Sequence, residues 1–450
     1  MTHEVRAAPR AASMRSAWYA VILLLLLYCM SFIDRLILSL LAPALSAAFQ
    51  ISDVKLGVLF GMGFGVVYGL TGLPLAHLID KSNRVRMVTF GVLLWSVCTI
   101  GSAFAPNYTA LVILRAGVAV GEAVLSPAAI SIIADLFPRE KRSAPTTAYM
   151  AVSTFMGAGA FVIGGAALDL GTHLSAALGM EPWRLALVFV GLPGIAMGLL
   201  FYSTVREPVR APAPANEQFS TAGQAIGYVA KEFGLYGYVY LAAAMLTMTG
   251  FAASAWAPTL MVRTHGLTPA HAGYLYGTVG LVTGLIGAVL WPVLVEAWSR
   301  KGRKDALIIA FTIGITGYWI CAATLALTPS IVVMLAAVGA ATFFTTAGAV
   351  LIPMIFQNVT PGRMRGRVMA GYLMANNLVG FTIGPPLAAW IAERFFTGPH
   401  AIGYGMAAIA LVGGPIASVA VWMTRKAYLR ALVTAEARER AADEALLAAR

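Results

Sequence analysis

The sequence predicts an all-α membrane protein, twelve transmembrane helices in two pseudo-symmetric six-helix halves, and three observations carry that prediction. Its 450 residues are 59% hydrophobic and only 11% charged, with a mean hydropathy of +0.80. A soluble domain needs far more polar residues to cover its surface, so the composition places the chain among integral membrane proteins. Apolar runs of about twenty residues recur between short polar clusters, the length a helix needs to cross a hydrocarbon layer. They lack the ten-residue alternation of an outer-membrane barrel. Finally, the whole pattern occurs twice, once on either side of a single long polar interval.

Taken in order, Arg6, Arg10 and Arg15 lead into span 1, expected over 16–48. That apolar run is much too long for the h-region of a signal peptide and reads as a retained span. Span 2 (54–79) ends in the acidic-basic turn IDKSNRVR, which delivers the chain straight into span 3 (86–105). Span 4 (108–136) and span 5 (144–169) follow, and GAGAFVIGG at 157–165 gives span 5 closely spaced glycines for helix packing. Span 6 (184–204) closes the first half. The interval 205–223 is too rich in Pro, Ala and charge to bury a core and reads as a linker. Spans 7 to 12 are expected at 233–262, 271–297, 305–327, 330–358, 366–393 and 400–424. Span 8 ends, like span 2, in an acidic residue and a basic turn (296–304), and span 11 carries LVGFTIGPP at 378–386.

The expected domains are a tail at 1–15, a first bundle at 16–204, a linker at 205–232, a second bundle at 233–424 and a tail at 425–450. The last is charged and Ala-rich with helical spacing, suited to a solvated or membrane-surface helix. Pro43, Pro127, Pro258, Pro385 and Pro386 each remove a helix hydrogen bond and are expected to kink spans 1, 4, 7 and 11. A twofold repeat of six helices about a central linker is the pattern of an alternating-access transporter, whose halves rock about a midplane site. A membrane enzyme or a channel is the competing class.

The formal net charge of +12 has a location as well as a size. Basic residues gather before span 1 and after spans 2, 4, 6, 8 and 10, while the opposite loops carry only Lys55, Arg184, Arg263 and Arg394. This is the positive-inside asymmetry. It implies a multi-pass protein of the inner membrane with both termini cytoplasmic, and it accounts for the charge without nucleic acid. Cys29, Cys98 and Cys321 lie inside spans and the six histidines are scattered, so no disulfide, metal site or cofactor is expected. A phosphate-cradling GxxxxGK[ST] loop, which an ATP-driven pump requires, does not occur. The expectation is a monomer, not an enzyme, whose partners are a small-molecule substrate, protons and membrane lipids.

Sorting the 19 acidic and 31 basic residues by span leaves four charges at membrane depth, Asp34, Arg35, Arg115 and Glu122. Each costs about 2.5–3.5 kcal/mol at the bilayer centre on insertion scales. Two of each sign, all in the first half, sum to zero, as a paired network requires. Glu122 lies about 21 Å along span 4 from Tyr108, and Asp34 is similarly central in span 1, so the two can share a layer. Arg115 is two turns from Glu122 on the same face. Neighbouring Asp34 and Arg35 project about 100° apart. Burial favours a neutral carboxyl and a nearby guanidinium restores its charge, so moving an arginine moves a proton.

The expectation is a proton-coupled carrier in which Asp34 and Glu122 exchange protons while Arg35, with Arg115, engages an anionic group of the substrate. The alternative is a permanently ionised network that only ties spans 1 and 4 together. The second half offers no charge at depth, so its wall is expected from Trp256, Phe344, Thr345, Asn376 and Asn377. A cavity charged on one wall and apolar on the other suits an amphiphile with an anionic head.

The acidic-basic turn after span 2 is similar to the loop motif of the major facilitator superfamily, with Asp80, Lys81, Arg84 and Arg86 matching and Ala76 and Asn83 standing where glycines are usual. The resemblance implies that Asp80 stabilises a cytoplasmic gate, and Arg84 and Arg142 are grouped with it as gating residues. FIDR in span 1, VGEAVLSPAAISIIADLFPREKRS at 120–143, WRLALVFVGLPG in span 6 and NVTPGRMRGRVMAGYLMANNLVGFTIGPP before and within span 11 together resemble the spinster family. That likeness implies the same coupling group, Asp34, Arg35 and Glu122, and an amphiphilic anionic substrate such as a lysolipid or sphingoid phosphate. The organic anion:cation symporter family shares the span 1 Asp-Arg pair and a span 4 acid, so a sugar-acid symporter stays open beside it, as does a drug efflux antiporter.

Overall fold

The structure, a computed structural model, describes residues 13–210 and 222–448, and these form helices without a strand among them. Most of the expected N-terminal tail and the middle of the linker therefore lie outside the described residues. Eleven helices are long and apolar enough to cross a membrane. The remaining span is built in three pieces, Gly362–Asn376, a π-helical stretch Asn377–Phe381 and Thr382–Phe395, so no piece reaches membrane length alone. With twelve crossings the first and last spans have their outer ends at one end of the bundle, called here the terminal end; the other is the far end.

Local chemistry explains where spans break. Span 1 starts at Met14, where the Ser13 hydroxyl accepts from the Ser16 N–H at 3.2 Å, and runs to Leu40. It bends at Leu41 before Ala42–Phe49. Pro43 has no N–H to give the Ser39 carbonyl, which accepts instead from the Thr259 hydroxyl of span 7 at 3.4 Å. Span 4 divides into Tyr108–Ala123 and Leu125–Leu136 around Pro127, directly after Glu122. Span 2 divides at Gly61 with no proline nearby, into Asp53–Phe60 and Met62–Lys81. A Cβ on Gly61 would stand 2.7 Å from the Phe381 carbonyl of span 11, so the glycine is required by contact between the halves.

Two boundaries differ from the sequence reading. Span 5 is a continuous helix Ser143–Leu178, about two turns longer at the far end than its apolar run. Span 12 and the C-terminal tail form one helix, Ala401–Ala448. No helix-breaking residue separates them, and polar ties hold the tail in place: Arg425 pairs with Asp305 at 2.6 Å and Lys304 reaches Glu436 at 3.3 Å. The linker also carries a helix, Ala222–Lys231.

Polar contacts between the halves gather at the far end. Asp53 at the start of span 2 accepts two hydrogen bonds from Arg263 of span 7, at 2.5 and 2.7 Å. Glu393 of span 11 accepts from the Val54 N–H at 3.0 Å. Spans 5 and 8 meet backbone to backbone there too, where a Cβ on Gly273 would stand 2.8 Å from the Phe161 carbonyl. At the terminal end, the charged knots among the described residues lie within one half each. Arg84 binds Glu207 at 2.7 Å, Asp135, and the Ser131 hydroxyl at 2.9 Å in the first half, and Asp305 gathers Arg303 and Arg425 in the second. The halves are thus fastened at the far end.

Candidate substrate and proton site

Spans 3 and 4 touch through glycines directly beside Glu122. Gly121, its neighbour, would place a Cβ 2.5 Å from the Gly91 carbonyl, and the reverse contact is equally close, so neither helix tolerates a side chain there. Glu122 is only 2% exposed. Its Oε2 accepts from Arg35 at 2.6 Å and from the Ser31 hydroxyl, one turn earlier in span 1, at 3.2 Å. The structure therefore brings Arg35 and Glu122 together as an ion pair, with the Glu122 side chain sealed and the Arg35 side chain 14% exposed.

Aromatic rings enclose that guanidinium. Phe32, Phe64, Tyr68 and Phe381 have ring centroids 5.3, 4.8, 5.4 and 6.0 Å from its central carbon. Ring faces attract a cation and exclude water without supplying a counter-charge. Phe64 serves two cations, since Arg115 lies 4.9 Å from its centroid. Phe381 belongs to span 11, which makes it the second half's contribution to the charged cluster. It packs 5.3 Å from Phe64 and 4.3 Å from Phe251, and it closes the π-helical stretch that Pro385 and Pro386 follow. Such a stretch widens one helical turn and re-aims its side chains.

Asp34 and Arg115 sit elsewhere. Asp34, 2% exposed, lies in the interior of the first half, among residues of spans 3, 4 and 6. Arg115, 3% exposed, donates to the backbone carbonyls of Asp34 and Arg35 at 3.0 and 2.9 Å. It braces span 1 against span 4 through the main chain, and its guanidinium pairs with no carboxylate among the described residues. Of the four buried charges, two form a pair at the cleft and two lie behind it. Oδ1 of Asp34, Oε1 of Glu122 and Nε of both arginines have no hydrogen-bond partner among the described residues.

In the second half, Trp256 is fully buried, donates its indole N–H to the Pro385 carbonyl at 2.9 Å and packs on Phe60 of span 2. Phe344 and Phe343 form an aromatic cluster with Trp291. Thr345 is half-buried beside them. Asn376 accepts from the Thr247 hydroxyl, tying span 11 to span 7. The side chain of Asn377 lies outside the described residues. Among the gating positions, Arg84 is buried at the heart of the first-half knot, Asp80 is exposed, and Arg142 donates to the Phe137 carbonyl at 2.8 Å at the start of span 5.

Ser31, Phe64, Tyr68 and Phe381 escape a search for charges, though one signal was available. A buried arginine needs π faces as well as anions, and Phe32 stands three residues before Arg35 while Phe64 and Tyr68 stand four apart, each pair on one helical face.

The model of the Major Facilitator Superfamily matches residues 24–378 and 239–442. The chain is 26% identical over 430 residues to an MFS-type efflux pump of Mycolicibacterium smegmatis, covering 93% of this chain and 95% of the pump. It is 26% identical over 315 residues to a sphingosine-1-phosphate transporter of Danio rerio, covering 65% of this chain and 59% of the relative. Among solved structures it resembles a bacterial homologue of the human lysosomal transporter spinster, in an inward-facing and unoccupied conformation. That likeness has a TM-score of 0.81 and 24% identity, over 94% of this chain and 99% of the other.

Proposed function

The chain belongs to the Major Facilitator Superfamily of multi-pass membrane transporters, and from that premise we propose that it is a proton-coupled carrier of an amphiphilic anion, resident in the inner membrane with both termini cytoplasmic. One observation carries the reading: a partly exposed arginine side chain, Arg35, held by one buried carboxylate and walled by aromatic rings from both halves. An anionic head displaces Glu122 from Arg35, while an apolar body lies against Phe64, Phe381 and the second half's Trp256, Phe344, Thr345, Asn376 and Asn377. Released from its cation, Glu122 takes up a proton, and Asp34 senses the same exchange through Arg115, which bonds the main-chain carbonyls of both Asp34 and Arg35.

The far-end fastening and the positive-inside charge support a state open towards the cytoplasm. The terminal-end knots of Arg84, with Asp80 and Arg142 beside it, form the cytoplasmic gate in this reading. The likeness to a sphingosine-1-phosphate transporter supports a lipid-like substrate. Thermal shift of purified protein at two pH values, with lysolipids and sphingoid phosphates compared against sugar acids, tests it. Stabilisation by the lipids alone, larger at one pH, is expected; stabilisation by sugar acids alone contradicts the substrate class.

A further inference from the structure

Beside the Arg35–Glu122 pair, the first half contains a small cavity of about 10 Å³ lined by first-half residues alone. Asp34 of span 1, Thr99 and Ser102 of span 3 and Arg115 of span 4 form its polar lining, with Leu111 and Leu187 among its apolar walls. Two of these groups carry unmet hydrogen-bonding capacity at full burial. Oδ1 of Asp34 is an acceptor without a donor, and the Nε–H of Arg115 is a donor without an acceptor. Thr99 and Ser102 are 4% and 5% exposed, and the Ser102 hydroxyl spends its proton on the Cys98 carbonyl at 2.8 Å, leaving its oxygen free to accept.

We propose that this cavity is a binding site for one water molecule, which delivers protons to Asp34 from the far end of the first half. The volume is that of a single water, and a buried water needs two to four polar partners. Here it donates to Asp34 Oδ1 and to the Ser102 or Thr99 oxygen, and accepts from Arg115 Nε–H, so each unmet group is satisfied in the sense its chemistry requires. Leaving the pair empty-handed would cost more than binding the water. Ser102 and Leu111 lie near the far ends of spans 3 and 4, so the site extends from Asp34 in that direction. A proton arriving from solvent as hydronium passes to Oδ1, forming the carboxyl O–H bond and leaving neutral water; the reverse step returns it.

The charged groups that face Asp34 are Arg115 and Glu122 of span 4 and its neighbour Arg35, while spans 3 and 6 contribute only hydroxyl and apolar groups. The charge state of Asp34 is thereby felt by Arg115, which bonds the main-chain carbonyl of Asp34 and that of Arg35, the residue that holds the substrate. The inference rests on the coupling role given to Asp34 above, but its test needs no substrate.

Infrared pH titration of the full-length protein in lipid reads carboxyl protonation directly. A titrating carboxyl band that Asp34→Asn removes is expected. Ser102→Ala removes an acceptor of the water and leaves in place the hydroxyl of Thr99, which bonds Asp34 directly. It should raise the band frequency and move its midpoint by about one pH unit, the size of one hydrogen bond at a charged group. Should the alanine variant fail to fold, Ser102→Cys is expected to shift the band in the same sense. A spectrum without an Asp34 band, or a band indifferent to the Ser102 replacement, overturns the site. Proton-driven transport that survives Asp34→Asn, with the band and its Ser102 sensitivity intact in the wild type, contradicts the coupling role and leaves the water site standing.

Discussion

The two halves repeat each other in helices and differ in chemistry at mid-depth. In the first half, Asp34, Arg115 and Glu122 are buried beside the partly exposed Arg35; in the second, spans 7 to 11 hold the Trp291–Phe343–Phe344 cluster and the Asn376–Thr247 hydrogen bond. The knots at the terminal end invert in sign as well. The first is a buried cation, Arg84, among acids, and the second a buried acid, Asp305, among cations. A repeat therefore preserves backbone and packing while each half acquires its own charges. The first half holds the charges at membrane depth, and the second supplies shape and one aromatic face, Phe381, to the charged cluster.

The largest effect should follow from breaking the buried pair. Glu122→Ala strands Arg35 without its anion, and losing one partner of a buried pair costs about 3–5 kcal/mol. The thermal midpoint in detergent should fall well below that of Asn376→Ala, where an interhelical hydrogen bond in a membrane protein is worth about 1 kcal/mol. Equal losses would show that the halves do not differ as argued.

Next comes the far-end fastening. Asp53→Asn removes the anion from the two bonds to Arg263, and a hydrogen bond to a charged group is worth about 1.5–3 kcal/mol, tenfold or more in a population. Cysteine labelling between spans 2 and 7 at that end should rise by about that factor. Unchanged labelling would show that the glycine contacts alone close it.

The smallest effect is expected at the second half's ring. Phe381→Leu keeps the bulk and loses the π face, worth about 0.5–1 kcal/mol at Arg35. Substrate affinity should change by about two- to fivefold, with thermal stability near wild type. A collapse of stability would make Phe381 a packing residue first.

Much of this was legible in the sequence, and the limit was one of direction. Apolar length and alternate basic loops announce the spans, because a bilayer imposes both. The four buried charges stand out because each is costly in an apolar run. What sequence spacing cannot fix is where a residue's side chain finds its partner. Asp34 and Arg35 were expected to diverge by about 100°, yet only packing reveals that Arg35 takes the cleft side with Glu122 while Asp34 faces span 3. Arg115, two turns from Glu122, proves to grip span 1 carbonyls. Phe381 was invisible because its place depends on a π-helical stretch and on contact between halves far apart in sequence. The merged helix of span 12 and its tail was missed because charged, Ala-rich sequence continues a helix as readily as it starts a new one.

Proton-driven accumulation by reconstituted Glu122→Gln protein tests the central claim most directly, using the lipid-like ligand that stabilises the wild type. The amide preserves shape but carries no proton, so an imposed pH gradient should no longer drive accumulation, while exchange of substrate across the membrane without a gradient persists. Accumulation equal to wild type would contradict the account.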